Sequence, residues 1–200
     1  MADLTTRAIN IIKSPQTEWP VIAAEPTDFG TLFKTYVIPL AAIGPVCSLI
    51  GGMLIGTVTP FGTYRTPLVA GLVGAVLGYG AALLGVFIST VVIEWLAPKF
   101  KSIGTRADAL KMVAYASTPG WVAGVLNLVP LLGLLGILAA LYGIYVFYLG
   151  LPHVMKTPSD QVIPYMIVAA VVIIVVSFVL WAIVGTITAS MLVGGAMMTM

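Results

Sequence analysis

One acidic residue of this chain lies where ionisable side chains are rare. Glu94 is flanked by the apolar residues 91–93 and 95–96, near the end of a long uncharged stretch. An ionised carboxylate in such surroundings needs a counter-charge or access to water. Lys111 enters the next apolar stretch at a similar depth, so the sequence predicts an ion pair between two neighbouring helices. Two alternatives stay open: the carboxylate reaches headgroup water, or it belongs to an ion or proton relay.

Two tyrosines lie near the same level as this carboxylate. Lys111, Tyr115 and Pro119 follow at four-residue intervals, and residues at that spacing share one face of a helix. Tyr36 precedes the proline of an earlier apolar stretch. If these faces look inward, the tyrosine hydroxyls complete the hydrogen bonding of Glu94; otherwise both tyrosines belong to the aromatic belt at the membrane interface. The candidate polar cluster consists of Tyr36, Glu94, Lys111 and Tyr115.

Other reactive side chains are scarce. The chain has one cysteine, Cys47, and one histidine, His153, too few for a disulfide framework, a Cys/His metal cage or a cysteine–histidine dyad. The apolar stretches contain no Ser/His or carboxylate pair, so the sequence predicts neither catalysis nor a cofactor or metal. A group of terminal methionines indicates an apolar tail rather than a soft-metal site. These methionines are Met191, Met197, Met198 and Met200.

The elements that position these residues follow from composition. Hydrophobic residues make up 60% of the chain and charged residues 8%, and the formal net charge is only +2, which excludes a nucleic-acid-binding surface. A hydrocarbon core about 30 Å thick requires about 20 apolar residues in a helix. Four uncharged runs have at least 28 residues, and one of them, 112–155, fits two helices with a turn near Pro130. We predict an all-α, polytopic integral membrane helical bundle with five transmembrane helices, at about 35–57, 68–96, 107–129, 131–150 and 162–186.

The basic residues predict the orientation. With five spans, eight of the nine lysines and arginines fall on the side of the amino terminus, and Arg65 alone faces the other side. Cytoplasmic loops carry the excess of basic residues. The amino terminus is therefore expected in the cytoplasm and the carboxyl terminus outside. The eight residues are Arg7, Lys13, Lys34, Lys99, Lys101, Arg106, Lys111 and Lys156.

Residues 1–34 form a predicted cytoplasmic amphipathic arm, followed by the membrane domain 35–200. Apolar residues from Leu4 to Ile12 recur at helical spacing, so this helix suits the headgroup plane, with its basic residues near anionic lipid. Ser14 before Pro15 is a helix-start signal, and Thr27 or Asp28 is the expected cap of the first span. Trp19 and Ile22 form a predicted anchor at the membrane interface. Packing under the bundle and contact with lipid or a partner remain alternatives.

Small residues and prolines predict how the spans pack. Gly74 and Gly78 lie four residues apart in the second span, a spacing that permits close helix approach, either within the chain or across a possible homodimer. Pro39 and Pro119 each remove a backbone donor inside a span. We therefore expect close packing at the two glycines and helix kinks at the two prolines.

Four short segments, in this order, resemble the bacterial branch of the Yip domain family, named for proteins that interact with Ypt/Rab GTPases. The likeness extends over nearly the whole chain and implies five spans with the amino terminus inside. The first-span entry, residues 34–39, lacks the Asp-Leu pair and the glycine of the eukaryotic Asp-Leu-Tyr-Gly-Pro signature, so GTPase binding is not carried over. The four segments are Ser14-Pro15-Gln16-Thr17-Glu18-Trp19, Tyr36-Val37-Ile38-Pro39, 111–119 and 150–158.

The resemblance implies a membrane scaffold or adaptor of the inner membrane, in contact with lipids and a possible cytoplasmic protein partner. A small transporter or channel that uses Glu94 and the kinked spans is the alternative. A relay would need further ionisable groups deeper in the membrane, which the sequence lacks, and transporters usually contain internal repeats, of which the sequence gives no sign.

Overall fold

The computed structural model describes residues 3–59 and 62–197, with side chains for all of these except 57–59 and 191–197. The sequence also predicts a turn at residues 59–64, after the first span, and two of these residues, Pro60 and Phe61, lie outside this description. The side chains of the carboxyl-terminal methionines lie outside it as well, namely Met191, Met197, Met198 and Met200.

Two short helices form the amino-terminal arm, α1 (Leu4–Lys13) and α2 (Pro15–Ala24). The carboxylate of Asp3 caps α1, and Pro15 opens α2 after Ser14. The start signal predicted at Ser14 and Pro15 is therefore confirmed, although the Ser14 side chain makes no capping hydrogen bond.

The arm packs against the bundle rather than lying free in the headgroup plane. Ile11 and Trp19 are 0% exposed and Ile22 is 1% exposed. The Trp19 indole Nε1 donates to the backbone oxygen of Val146 at 2.9 Å. The prediction of an interfacial anchor at Trp19 is wrong, because its ring fills a gap between the arm and the bundle instead of meeting lipid. The sequence allows the arm either to pack under the bundle or to contact lipid or a partner, and in the structure it packs under the bundle.

A long helical segment, Phe29–Leu54, follows the arm. The Asp28 carboxylate accepts a hydrogen bond from the Thr31 amide at 2.8 Å, which confirms the second of the two predicted caps. The segment changes helix type directly before Pro39, and π-helical turns are known causes of kinks. Its successive parts are α3 (Phe29–Leu32), the π-helical turn Phe33–Val37, α4 (Ile38–Ala41) and α5 (Ile43–Leu54).

A small antiparallel hairpin joins this segment to the second long helix. Its strands are β1 (Thr57–Thr59) and β2 (Gly62–Tyr64), with Thr57 opposite Tyr64. Gly56 leads into β1 with φ of 82°, a left-handed conformation that glycine adopts without a Cβ penalty. The sequence predicted a turn here but not strands.

The rest of the chain consists of four long helices. A capping box between Thr105 and Asp108 starts the second of them, because each side chain satisfies a backbone amide of the other. The four helices are α6 (Leu68–Leu96), α7 (Arg106–Ala123), α8 (Gly136–Val154) and α9 (Val162–Met197). Helical turns of the 3₁₀ type extend or connect them at Ala97–Phe100, Gly124–Leu128 and Pro130–Leu135.

Four helical segments of the described chain are long and apolar enough to cross a membrane. They are Phe29–Leu54, Leu68–Phe100, Pro130–Val154 and Val162–Ser190. The predicted span 107–129 is not among them. It corresponds to α7, which is 18 residues long and buries ten of them, so it faces other helices and needs fewer apolar side chains than a helix in contact with lipid.

Close backbone approaches lie elsewhere than predicted, and among the described glycines Gly51 approaches neighbouring backbone most closely, at the carbonyl oxygens of Asn127 and Leu128. A Cβ on Gly143 would lie 2.7 Å from the Ala116 carbonyl oxygen, and one on Gly124 would lie 2.8 Å from the Gly44 Cα. By contrast, a Cβ on Gly74 would meet only the Thr188 methyl at 3.4 Å, and one on Gly78 would meet nothing within 4 Å. The prediction of tight packing at these two glycines is wrong, because α7, and not α6, lies at the crowded centre.

Candidate functional site

Arg7 is one of two cations in the described chain that are only 3% exposed. Its two terminal nitrogens donate to Glu18 Oε1 and to Glu25 Oε1. Helix α1 carries the arginine, while α2 carries Glu18 and ends at Glu25. Because the chain turns back at Ser14, these three residues converge beneath the bundle. We call Arg7, Glu18 and Glu25 the arm cluster.

The arm cluster is an ionised unit. Burial alone would lower the pKa of Arg7, but the hydrogen bond to Glu25 and the charges of Glu25 and Glu18 raise it above its ordinary value. Taking ions out of water costs several kcal/mol each unless they are paired with good geometry. One guanidinium meets two carboxylates here, which satisfies its charge and leaves the cluster with a net negative charge.

Lys111 supplies a positive charge beside this cluster. It is 3% exposed, and its ammonium donates to the backbone oxygen of Glu25 at 2.7 Å. Asp108 Oδ1 lies 3.8 Å away on the same helix. A cation at the carboxyl end of a helix is stabilised by the helix dipole and by the carbonyls left unpaired there. Lys111 therefore joins α7 to the end of α2.

Glu94 is paired with a different residue from the one predicted. Its Oε2 accepts a hydrogen bond from Arg106 Nε at 2.6 Å. Arg106 opens α7, whereas Lys111 lies five residues further along and points to the arm. An ion pair between the two neighbouring helices α6 and α7 therefore exists, but with Arg106, and the prediction of a Glu94–Lys111 contact is wrong. The Glu94 and Arg106 side chains are 33% and 56% exposed, so water also solvates the pair.

The two predicted tyrosines meet. The ring centroids of Tyr36 and Tyr115 lie 4.8 Å apart in an edge-to-face arrangement. The Tyr36 hydroxyl shares a hydrogen bond of 2.9 Å with the Thr118 hydroxyl, and Trp19 of the arm packs against Tyr115 with centroids 6.1 Å apart. The tyrosines are thus inside the bundle and not in an aromatic belt. Of the four predicted cluster residues, Tyr36, Tyr115 and Lys111 line the contact with the arm, and Glu94 does not.

Sequence reasoning missed the arm cluster, although a signal was present. Arg7 lies next to Ala8 and one turn before Ile11, on the buried face of α1. Glu18 directly precedes Trp19, the most strongly buried aromatic residue of α2. An arginine and a glutamate within the apolar faces of two consecutive helices indicate a buried pair. The sequence interpretation instead placed Arg7 near lipid, which is wrong.

The described residues offer little for metal chemistry. No group of three or more His, Cys, Asp or Glu among them could hold a metal ion. His153 is exposed and its Nδ1 lies 3.0 Å from the Leu149 carbonyl oxygen, and Cys47 is a buried free thiol. The arm cluster, together with Lys111, suits the attachment of the amino-terminal arm to the helical bundle.

Comparison with known proteins gives a consistent result. The model of the Yip1 domain matches residues 9–181. "Inner membrane protein YohC" of Escherichia coli (strain K12) is 28% identical over 155 residues, which cover 76% of this chain and 80% of that protein. The protein of the same name from Escherichia coli O6:H1 (strain CFT073) gives the same values. No solved structure matches the chain.

Proposed function

Because the chain belongs to the Yip1 domain family, we propose that this multi-pass inner membrane protein is a non-catalytic scaffold or adaptor. The end of the bundle at which α1 and α2 pack, here called the arm end, faces the cytoplasm and holds a partner. The arm cluster carries this proposal. Breaking a buried ion pair is strongly unfavourable, so the arm is a fixed part of the fold and offers a pre-formed surface.

The proposal includes five spans with the amino terminus inside. Helix α7 and its 3₁₀ extension run beside the first long helix. Tyr36 meets Thr118 at one level, and Gly51 meets Leu128 far along both segments. The two levels are about 15 residues apart along the first long helix, from Tyr36 to Gly51, and about 10 residues apart from Thr118 to Leu128. Both separations correspond to about 15–22 Å at a rise of about 1.5–2 Å per residue. That distance is most of a hydrocarbon core about 30 Å thick.

The arm presents a mixed surface to a partner. Ile9 and Val21 are 46% and 48% exposed, and the basic residue Lys13 is exposed between their helices. Apolar side chains rimmed by polar ones are typical of protein contact sites. We do not extend the proposal to transport, because Glu94 is paired with Arg106 at the arm end and does not line the cavity between the helices.

Orientation is tested by labelling single cysteines in a Cys47→Ala background. Gln16→Cys lies on the exposed face of the arm and Thr63→Cys in the exposed hairpin. In intact spheroplasts a membrane-impermeant maleimide should label Thr63→Cys, and it should label Gln16→Cys only after permeabilisation. Labelling in the reverse order would contradict the proposed orientation.

Partner binding is tested by photo-crosslinking in living cells. A photoreactive amino acid at Ile9 or Val21 should give one discrete protein adduct. The same amino acid at Leu131, which is 71% exposed at the other end of the bundle, should not. An adduct with a second copy of the chain would show self-association of the arm. Equal adducts at all three positions, or solute flux in vesicles reconstituted with the pure protein, would contradict the adaptor.

A further inference from the structure

A groove of about 390 Å³ lies between α6, α7, α8 and α9. Small residues from all four helices form its wall, among them Ala82, Gly120, Ala140 and Ala170. A Cβ on Gly120 would meet nothing within 4 Å, so the space is not filled by a neighbouring side chain. The rim residues Ile144 and Ile174 are 38% and 61% exposed, so the groove opens towards lipid between α8 and α9.

Three serine hydroxyls face this groove without a partner. Ser89 is 5% exposed, and it lines the groove together with Ser117 and Ser177. Within the described chain none of the three makes a hydrogen bond, although a hydroxyl on a helix can usually bond to the carbonyl four residues earlier. Other hydroxyls of these helices do so: Thr90, Thr118, Thr186 and Thr188. The serine hydroxyls are accessible from the groove in an otherwise apolar wall, so a bound molecule with acceptor oxygens would complete their hydrogen bonding.

The depth of the serines is set by the arm. Trp19 and Gln16 of the arm bond to Val146 and Tyr145 of α8, and the groove reaches the same part of α8, from Ala139 to Phe147. Because the arm carries charged and polar residues, this level is the boundary between headgroups and hydrocarbon.

The registers of α6 and α7 bring Ser89 to that boundary. The Glu94–Arg106 pair places Ser89, five residues before Glu94, level with Lys111, whose ammonium touches the arm. Ser117 and Ser177 lie deeper along the groove, because Ser117 is six residues beyond Lys111 and Ser177 is twelve residues beyond Tyr165, whose hydroxyl donates to the Ile93 carbonyl oxygen. The ester carbonyls of phospholipids lie at this boundary and are hydrogen-bond acceptors.

The dimensions of the groove select the occupant. Its lining on α6 extends from Ala81 to Ile93, about 18 Å at about 1.5 Å per residue. Its volume is about 390 Å³, and its wall consists mainly of small residues. One hydrocarbon chain suits this narrow groove better than an α-helix about 10–12 Å in diameter.

We propose that the groove holds one phospholipid of the leaflet on the arm side, with an ester carbonyl that accepts a hydrogen bond from Ser89 and an acyl chain that fills the small-residue wall. This inference goes beyond the adaptor role and does not depend on it. Water alone fits poorly, because it needs several polar partners and the remaining wall is apolar.

The test is lipid retention in a mild detergent. The protein is reconstituted with phosphatidylethanolamine and phosphatidylglycerol, extracted, exchanged into fresh detergent and analysed by mass spectrometry. Gly120→Leu fills the groove, and Gly80→Leu is the matched control, since a Cβ on Gly80 also meets nothing within 4 Å but Gly80 does not line the groove. Wild type and the control should retain about one phospholipid per chain, and Gly120→Leu should retain about tenfold less.

A second pair of variants covers the possibility that Gly120→Leu fails to fold. Ser89→Ala should weaken lipid retention about fivefold through the loss of one hydrogen bond. Ser48→Ala, a change of an exposed serine outside the groove, should not. Trp121 lines the groove, so a phospholipid brominated on its acyl chain should quench the fluorescence of Trp121. That contribution is identified as the part of the fluorescence that is lost in Trp121→Phe. Four results would overturn the proposal. They are equal lipid retention in Ser89→Ala and Ser48→Ala, a wild-type protein that retains no phospholipid, retention of a different molecule, and Trp121 fluorescence that is not quenched.

Discussion

Removal of the Arg7 guanidinium is the sharpest test of how the arm is held. Arg7→Met keeps most of the length of the side chain and deletes both ion pairs. Glu18, whose side chain is 11% exposed, and Glu25, whose side chain is 28% exposed, then both lose the guanidinium with which they pair. Breaking a buried pair by removing one partner costs about 3–5 kcal/mol. We expect Arg7→Met to lower the free energy of unfolding by about that amount, towards the upper end because two carboxylates lose their partner.

The double-mutant cycle gives the decisive measurement. Glu18→Met alone leaves Arg7 with Glu25 and should cost less than Arg7→Met. The double variant Arg7→Met/Glu18→Met replaces a buried ionic contact with an apolar one, which is often neutral or stabilising relative to the broken pair. Thermal or denaturant unfolding in detergent reports the free energies, and Arg65→Met on the exposed hairpin side is the matched control. A coupling energy near zero, or an Arg7→Met variant as stable as this control, would refute the buried cluster.

Three further outcomes follow from the same contacts. Glu94→Gln should lower the free energy of unfolding by less than about 1 kcal/mol, because its ion pair is solvated. Lys111→Met should lower it by about 1.5–3 kcal/mol, because a buried hydrogen bond from a charged donor is lost. If the two effects do not add in the double variant, the two residues interact, which would contradict their separate pairing. Gly143→Leu should lower the unfolding temperature, because overpacking costs at least about 1–3 kcal/mol of stability, while Gly78→Leu should have little effect. Equal unfolding temperatures of the two variants would contradict this prediction. Hydrogen bonds from the Thr31 amide and side chain lower the pKa of Asp28, so its stabilisation of the helix start is present above the ordinary carboxylate pKa and lost as pH falls through the lowered value. The protection factors of the amides in the first turn of α3, which are exchange rates corrected for their intrinsic pH dependence, should therefore fall on acidification, and Asp28→Asn should remove that change.

Helix content and the apolar spans could be predicted from the sequence because they depend on local composition. The uncharged runs alone place the helices around Leu68–Leu96 and Val162–Met197, since the bilayer imposes a minimum length on each. Likewise, the start at Pro15 and the cap at Asp28 require only neighbours in sequence. Composition also separates the chain from nucleic-acid-binding proteins without any knowledge of its contacts.

Partner choice among the charged residues could not be predicted, because it depends on how helices rotate about their axes. Depth alone selected Lys111 for Glu94, but depth does not specify which side of α7 faces Glu94, and that side changes by about 100° per residue. The rotation is set by α7 being surrounded on most sides, which turns Lys111 towards Glu25 and leaves Arg106 at the edge. The glycine prediction failed for the same reason, because spacing along α6 does not reveal which helix is central.

The arm and the groove are linked through α7. Lys111 holds the arm from one side of this helix, while Val113 and Ser117 line the groove on another side. Its sequence is accordingly poor in large apolar side chains, because it must meet polar groups of the arm at its start and closely packed helices further along. A helix under these constraints cannot resemble an ordinary span in hydropathy. The helix that composition marks least clearly is therefore the one that contacts both the arm and the groove.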